Sequence, residues 1–210
     1  MTSIDRDGPV VRVLERAQGS GFLGKGPIEV HLAHARALIS AIPSSGSTFV
    51  DLGSGGGVPG LIVALDRPNL QGLLLDGSVR RAGFLRTAVQ DLALSERVTV
   101  VADRAENVGR SPRWRGAADV VVARSFGPPA VVAECAAPLL VVGGRLVVSD
   151  PPADDDHPDR WPAAGLAAVG LRPSEHHAGP PAFTVLEQAA PCPERFPRRV
   201  GIPTKRPLFP

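Results

Sequence analysis

The chain has 210 residues, 43% of them hydrophobic and 21% charged, with a formal net charge of +2 at pH 7. That length buries a core without disulfides or metals, and a mean hydropathy of +0.06 excludes both a disordered and a membrane-embedded chain by composition. Lys25 and Lys205 are the only lysines, so arginine supplies nearly all the positive charge and the small excess says little about a polyanionic partner.

From the start, MTSIDRDGPVVRV lacks the basic-then-apolar order of an export signal. Pro9 predicts the opening of a helix with Val10, Val13, Leu14 and Ala17 on one face. A glycine-broken loop at 19–26 follows, then a second helix carrying Ile28, Leu32, Ala35, Leu38 and Ile39 at helical spacing. Residues 48–150 alternate short β-rich runs with helical stretches, the pattern of βαβ units around a largely parallel sheet with helices on both faces. The strands are predicted at 48–52, 72–76, 98–102, 119–123 and 145–149, with helices near 60–65, 78–92 and 129–140. Residues 151–163 read as an acidic Pro-rich loop. A helix around 161–169 and strands near 171–177 and 183–188 complete the sheet, and the Pro-rich end is expected to be extended. The division is an N-terminal helical segment at 1–47, a principal domain at 48–190 and a basic tail at 191–210. That tail sets Arg195, Arg198, Arg199, Lys205 and Arg206 against Glu194 alone, a local attraction for phosphate.

No apolar run approaches the roughly 20 residues that span a bilayer. Cys135 and Cys192 have no ligand spacing, so reduced thiols, a cytoplasmic location, no metal, no membrane and a monomer are expected.

The segment Asp51-Leu-Gly53-Ser-Gly55-Gly-Gly57-Val58-Pro-Gly60 joins the first strand to the next helix. Ligands of parallel sheets sit at such strand ends, and glycine lets the backbone turn sharply against them. Gly55, Gly57 and Gly60 also fit the dinucleotide pattern G-x-G-x-x-G, so the glycines alone leave the ligand open. Asp51, two residues before the first glycine, separates the readings: a carboxylate favours an ammonium and repels a pyrophosphate. Asp76, at the end of the second strand, suits two ribose hydroxyls and serves either cofactor.

The Asp51–glycine arrangement resembles class I S-adenosylmethionine (SAM) methyltransferases, which implies their Rossmann-like fold with an antiparallel last strand. More narrowly, DLGSGGGVPG, Asp76-Gly-Ser-Val-Arg-Arg81-Ala-Gly-Phe84-Leu85-Arg86, Arg104-Ala105-Glu106, Ala123-Arg124-Ser125-Phe126 and the tail from Phe196 to Leu208 together resemble the RsmG family, also called glucose-inhibited division protein B. These are bacterial small-subunit rRNA guanine-N7 methyltransferases. The resemblance implies SAM as cofactor and 16S rRNA, or the small ribosomal particle, as partner. It puts cofactor contacts at Gly53, Val58, Ala105, Glu106 and Arg124; Asp51, Gly55 and Asp76 join them from general methyltransferase logic. Arg124 is expected beside the methyl acceptor as the catalytic residue, the competing expectation being a structural pair with Asp119 or Asp103.

Guanine N7 carries a lone pair and no proton, so in-line transfer to it needs alignment and a favourable field but no general base. In keeping with that, His31 and His34 are expected on a helix surface away from the strand ends. Where the family has Lys-Gly after strand five, this chain has Asp150 and Pro151, and an anion beside an RNA-facing cleft is expected to weaken phosphate or guanine binding. Two alternatives stay open, a class I methyltransferase acting on another acceptor and a non-catalytic SAM- or RNA-binding module.

Overall fold

Alternating burial along the strands determines where the layers form. In β4 (Ala118–Ala123), Val120 and Val122 pack with one apolar cluster while Val121 and Ala123 pack with the other, so both faces of this strand must be covered. A computed structural model, describing residues 3–151 and 160–210, shows how. The other strands are β1 (Thr48–Leu52), β2 (Gln71–Asp76), β3 (Val98–Ala102), β5 (Leu140–Ser149), β6 (Leu171–His177) and β7 (Phe183–Gln188). They form one seven-stranded sheet in the order β3-β2-β1-β4-β5-β7-β6. The first five are mutually parallel, and β7 runs against both of its neighbours. This is the mostly parallel, Rossmann-like sheet expected from the sequence, with its last strands antiparallel.

One face is covered by α1 (Ser3–Gly19), α2 (Ile28–Ser40), α3 (Gly60–Asp66) and α4 (Val79–Asp91), through residues such as Leu14, Leu38, Leu61 and Leu85. The other is covered by α5 (Ala105–Val108), α6 (Pro129–Ala136) and α7 (Ala163–Ala167), joined by Phe196 and Phe209 from the end of the chain. No helix among the described residues is long and apolar enough to cross a membrane, and Cys135 and Cys192 are both free thiols.

Several boundaries differ from the sequence expectation, three of them for a plain physical reason. Helix α1 begins at Ser3 and runs through Pro9, whose exposed ring costs the helix one backbone donor while the stripe from Val10 to Ala17 is buried. Helix α6 stops at Ala136, four residues early. Pro138 lies in a 3₁₀ turn at Ala137–Leu139, which lets β5 start at Leu140. The end of the chain is not wholly extended: Ile202–Lys205 forms a one-turn helix, α8, with Pro203 in its first turn, where a missing N–H is no loss. The loop predicted at 151–163 falls largely outside the described residues.

The last twenty residues are fastened to the domain. Arg115 donates to the carbonyls of Cys192, Pro193 and Phe196, and Arg198 is paired with the fully buried Glu134 of α6. Of the tail's five cations, Arg195, Arg199, Lys205 and Arg206 stay exposed, while Arg198 is committed to the interior.

Candidate functional site

The sheet changes direction of winding between β1 and β4, where the carboxyl ends of parallel strands leave a crevice. A cleft of about 760 Å³ lies there, within the range of small-molecule sites. Its walls are residues 53–56 and Val58 after β1, 76–78 and Arg81 after β2, 104–106 after β3 and 124–128 after β4. Phe22, Leu23 and Gly24 from the α1–α2 loop close one side, and Thr204 of α8 contributes from the tail.

The loop after β1 is set by hydrogen bonds between strand tips. The N–H groups of Gly53 and Ser54 both donate to the Leu75 carbonyl at 2.9 Å, and the Gly55 N–H donates to Asp76 Oδ2 at 2.9 Å. Gly53 has φ +77°, and a Cβ on it would stand 2.5 Å from Phe126 Cδ2, so side-chain-free backbone is needed for β1 and β4 to share the cleft. Gly60, where α3 begins, has no room either: a Cβ there would strike Asp51 Oδ2 and lie 2.5 Å from Leu74 Cδ2. Gly60→Ala should therefore cost about 1–3 kcal/mol of stability by overpacking, to be read from urea unfolding midpoints.

Seven of the eight anticipated residues line the cleft: Gly53, Gly55, Val58, Asp76, Ala105, Glu106 and Arg124. Asp51, expected to face the ligand as a guarding carboxylate, is 1% exposed and lies behind the wall. Its Oδ2 accepts the Gly60 N–H at 3.0 Å and its main-chain carbonyl accepts the Ser54 hydroxyl at 3.0 Å, so it anchors the turn into α3. Burial pushes its carboxyl up to about 7, against the opposing pull of Ser54 and the Gly60 amide, so at neutral pH it is only partly ionised.

Asp76, 2% exposed, accepts from the Ser78 N–H at 2.8 Å as well as from Gly55. The Nε–H of Arg81 is shared between both its oxygens at 3.0 Å. Because Arg81 is 45% exposed, it is the partner that can yield to a ligand hydroxyl. Glu106 accepts the Gly201 N–H at 2.9 Å, tying the tail to the cleft. Burial alone would raise its carboxyl, but that amide, its own backbone N–H and Arg104 hold it below the usual carboxylate range.

Arg124 makes neither of the structural pairs that competed with a site role. Asp119 accepts from Ser47 and Thr48, and Asp103 from Asn107 and the Arg104 N–H. The guanidinium instead donates from Nη2 to Nδ1 of His31 at 2.8 Å. Its Nη1 is buried and has no hydrogen-bond partner among the described residues, as is true of Asp51 Oδ1, whose charge acts on the same guanidinium. Burial lowers its proton affinity and Asp51 opposes that, but a guanidinium stays charged.

The histidine expectation is therefore corrected. α2 crosses the carboxyl edge of the sheet, with His31 on Arg124 and His34 Nε2 at 3.0 Å from the Ser149 hydroxyl. Asp150 is corrected too. It is 8% exposed, accepts from Thr184 Oγ1 at 2.5 Å and Trp161 Nε1 at 3.3 Å, and has Arg160 Nε at 3.4 Å, so it is a compensated buried group and not a bare anion. It lines a smaller adjoining cavity of about 260 Å³ that shares Ser125, Phe126 and Gly127 with the main cleft. Among the described residues no group of His, Cys, Asp and Glu is placed to hold a metal ion.

Comparison with known proteins agrees with this geometry. A family model described as "GidB: rRNA small subunit methyltransferase G" matches residues 27–150. The ribosomal RNA small subunit methyltransferase G of Deinococcus radiodurans is 39% identical over 166 residues, 76% of this chain and 65% of that protein. Its counterpart in Roseiflexus castenholzii is 38% identical over 168 residues, 78% of this chain and 71% of that protein. Among solved structures, a putative O-methyltransferase from Klebsiella pneumoniae superposes with a TM-score of 0.64 at 16% identity, covering 88% of this chain and 91% of its own. An O-methyltransferase family protein from Burkholderia thailandensis gives 0.62 at 19%, covering 74% and 55%. These two likenesses concern the fold alone.

Proposed function

Because the chain belongs to the rRNA small subunit methyltransferase G family, and so is a SAM-dependent methyltransferase, we propose that it methylates N7 of a guanine in 16S rRNA within the cytoplasmic small ribosomal particle. One observation carries the choice of acceptor. The two carboxylates in the cleft wall already accept hydrogen bonds, and the imidazole nearest Arg124 has its free lone pair engaged by the guanidinium. Among the described residues, neither of those carboxylates and neither ring nitrogen of that imidazole is left unengaged. Such a site suits a nucleophile that arrives with its own lone pair and no proton to lose, as guanine N7 does.

SAM, when bound, supplies a methyl group made electrophilic by its sulfonium. The chain's own part is to hold and align. The Gly53–Gly55 turn and Val58 admit the donor's backbone-hugging end. Asp76 would accept ribose hydroxyls as Arg81 gives way, and Ala105 and Glu106 would border the adenine. Arg124, which lines the cleft at the end of β4, would set its positive charge beside the reacting end. On this reading residues 48–190 are the methyltransferase domain, 1–47 supply a wall through Phe22 and Leu23, and 191–210 brace the adenine side. Arg81 and Arg104 at the rim, with Lys205 beside Thr204, would meet RNA phosphates, so log affinity should fall with log salt.

Asp76→Ala should weaken SAM binding on the order of 10–100-fold, about 1.4–2.8 kcal/mol; unchanged affinity by calorimetry would remove Asp76 from the ribose. The function itself is tested by tritiated-methyl transfer to purified small ribosomal particles lacking their guanine-N7 mark, followed by mapping of the label. Methyl on one guanine N7 is the expected result. Turnover without RNA and insensitive to salt would assign another acceptor, and SAM binding without release of S-adenosylhomocysteine would leave a non-catalytic module.

A further inference from the structure

His31 stands between two partners whose hydrogen-bonding roles are fixed. Nδ1 is 2.8 Å from Arg124 Nη2, and Nε2 is 3.0 Å from the carbonyl oxygen of Gly24. A guanidinium only donates and a carbonyl only accepts. Both contacts are satisfied by a single form of the ring, neutral, with the proton on Nε2 and the lone pair on Nδ1. A protonated ring would aim an N–H at a cation, and the other tautomer would fail at both ends. We propose that His31 is the positioning residue for Arg124: in its Nε2–H form it holds the guanidinium by Nη2 and ties it to the α1–α2 loop at the wall of the cleft.

The surroundings of the ring support this role. Arg124 faces it from the end of β4, and the Asp51 charge acts on the same guanidinium. His34 lies one turn along α2 and is itself bonded to Ser149 of β5, and Gly24 faces it from the loop that walls the cleft. Burial and the Arg124 charge both lower His31's proton affinity, and burial with Arg124 and His31 takes His34 down to about 4. His31 is therefore neutral at neutral pH, and its grip on Arg124 is lost only as the pH falls through its lowered titration point. Methyl transfer should share that acid limb.

The role rests on the methyltransferase reading only for its activity readout, so the test has two arms. Nitrogen-15 NMR of the histidine-labelled protein should show His31 as the Nε2–H tautomer at pH 7. The Arg124 guanidinium signals should move in His31→Ala but stay in place in His31→Asn, whose Oδ1 stands where Nδ1 was. In the second arm, methyl transfer to small ribosomal particles should fall about 10–100-fold in His31→Ala and in His31→Gln, which keeps the donor to Gly24 but not the acceptor for Arg124; that is the worth of one hydrogen bond to a charged group. His31→Asn should retain activity within about threefold and lose the acid limb. An Nδ1–H or cationic ring at pH 7, or equal losses in His31→Asn and His31→Ala at matched melting temperatures, would overturn the proposal. If the wild type transfers no methyl group, the function reading fails and the NMR arm alone decides the role of His31.

Discussion

Arg198→Met should lower the stability of the protein by about 3–5 kcal/mol, the cost of leaving a buried carboxylate without its partner. Glu134 lies in α6 with no exposed surface, and three donors of Arg198 satisfy it: the main-chain N–H at 2.8 Å, Nε at 2.8 Å and Nη2 at 2.6 Å. Nη2 also reaches the Arg206 carbonyl at 2.7 Å, so the same side chain staples the last turn of the chain. Methionine keeps much of the packing volume and removes both side-chain donors. Urea unfolding is the measurement, and the double variant Glu134→Leu with Arg198→Met should recover most of the loss, because neither charge is then stranded. A single-variant loss under about 1 kcal/mol would mean the pair behaves like a surface ion pair. Since Gly201 follows three residues later and donates to Glu106, weaker SAM binding should accompany the destabilisation.

The largest effect on turnover should come from Arg124→Met. Removing a preorganised cationic donor from a site that works by alignment and electrostatics costs on the order of 10²–10³ in rate. The melting temperature should change little, because among the described residues Arg124 makes no ion pair and its one hydrogen bond is to His31. Single-turnover methyl transfer with saturating SAM separates the chemical step from binding. A variant that melts much earlier yet turns over normally per folded molecule would make Arg124 a structural residue after all.

Much of the architecture could be read from the chain because the burial period differs so plainly between layers. Runs such as Leu73-Leu74-Leu75 and Val120-Val121-Val122 are apolar on both faces, as strands covered twice must be. The cleft residues were legible where local chemistry is conclusive: glycines at a strand tip, an Asp ending β2, an Arg ending β4. What stayed hidden depended on distant chain meeting the site. His31 looks like any polar position on an amphipathic helix, and only the placement of α2 over the sheet edge brings it to Arg124. Asp51 was read as facing outward because sequence gives its position on the strand but not which way the turn rotates its carboxyl. The packing of the tail was hidden too, although Phe196 and Phe209 were cues to it; four of its five cations stay exposed and Arg198 alone turns inward.

Ser125, between Arg124 and the Phe126 that packs on Gly53, holds φ at +55°, in the left-handed region that costs a non-glycine residue on the order of 1 kcal/mol. Glycine would relieve that cost, and the chain does not have it. A screen for heat resistance would thus be drawn to position 125, while a screen for speed would avoid it, because the freedom that relaxes the backbone also slackens the arm carrying the guanidinium. The two selections pull this one residue in opposite directions.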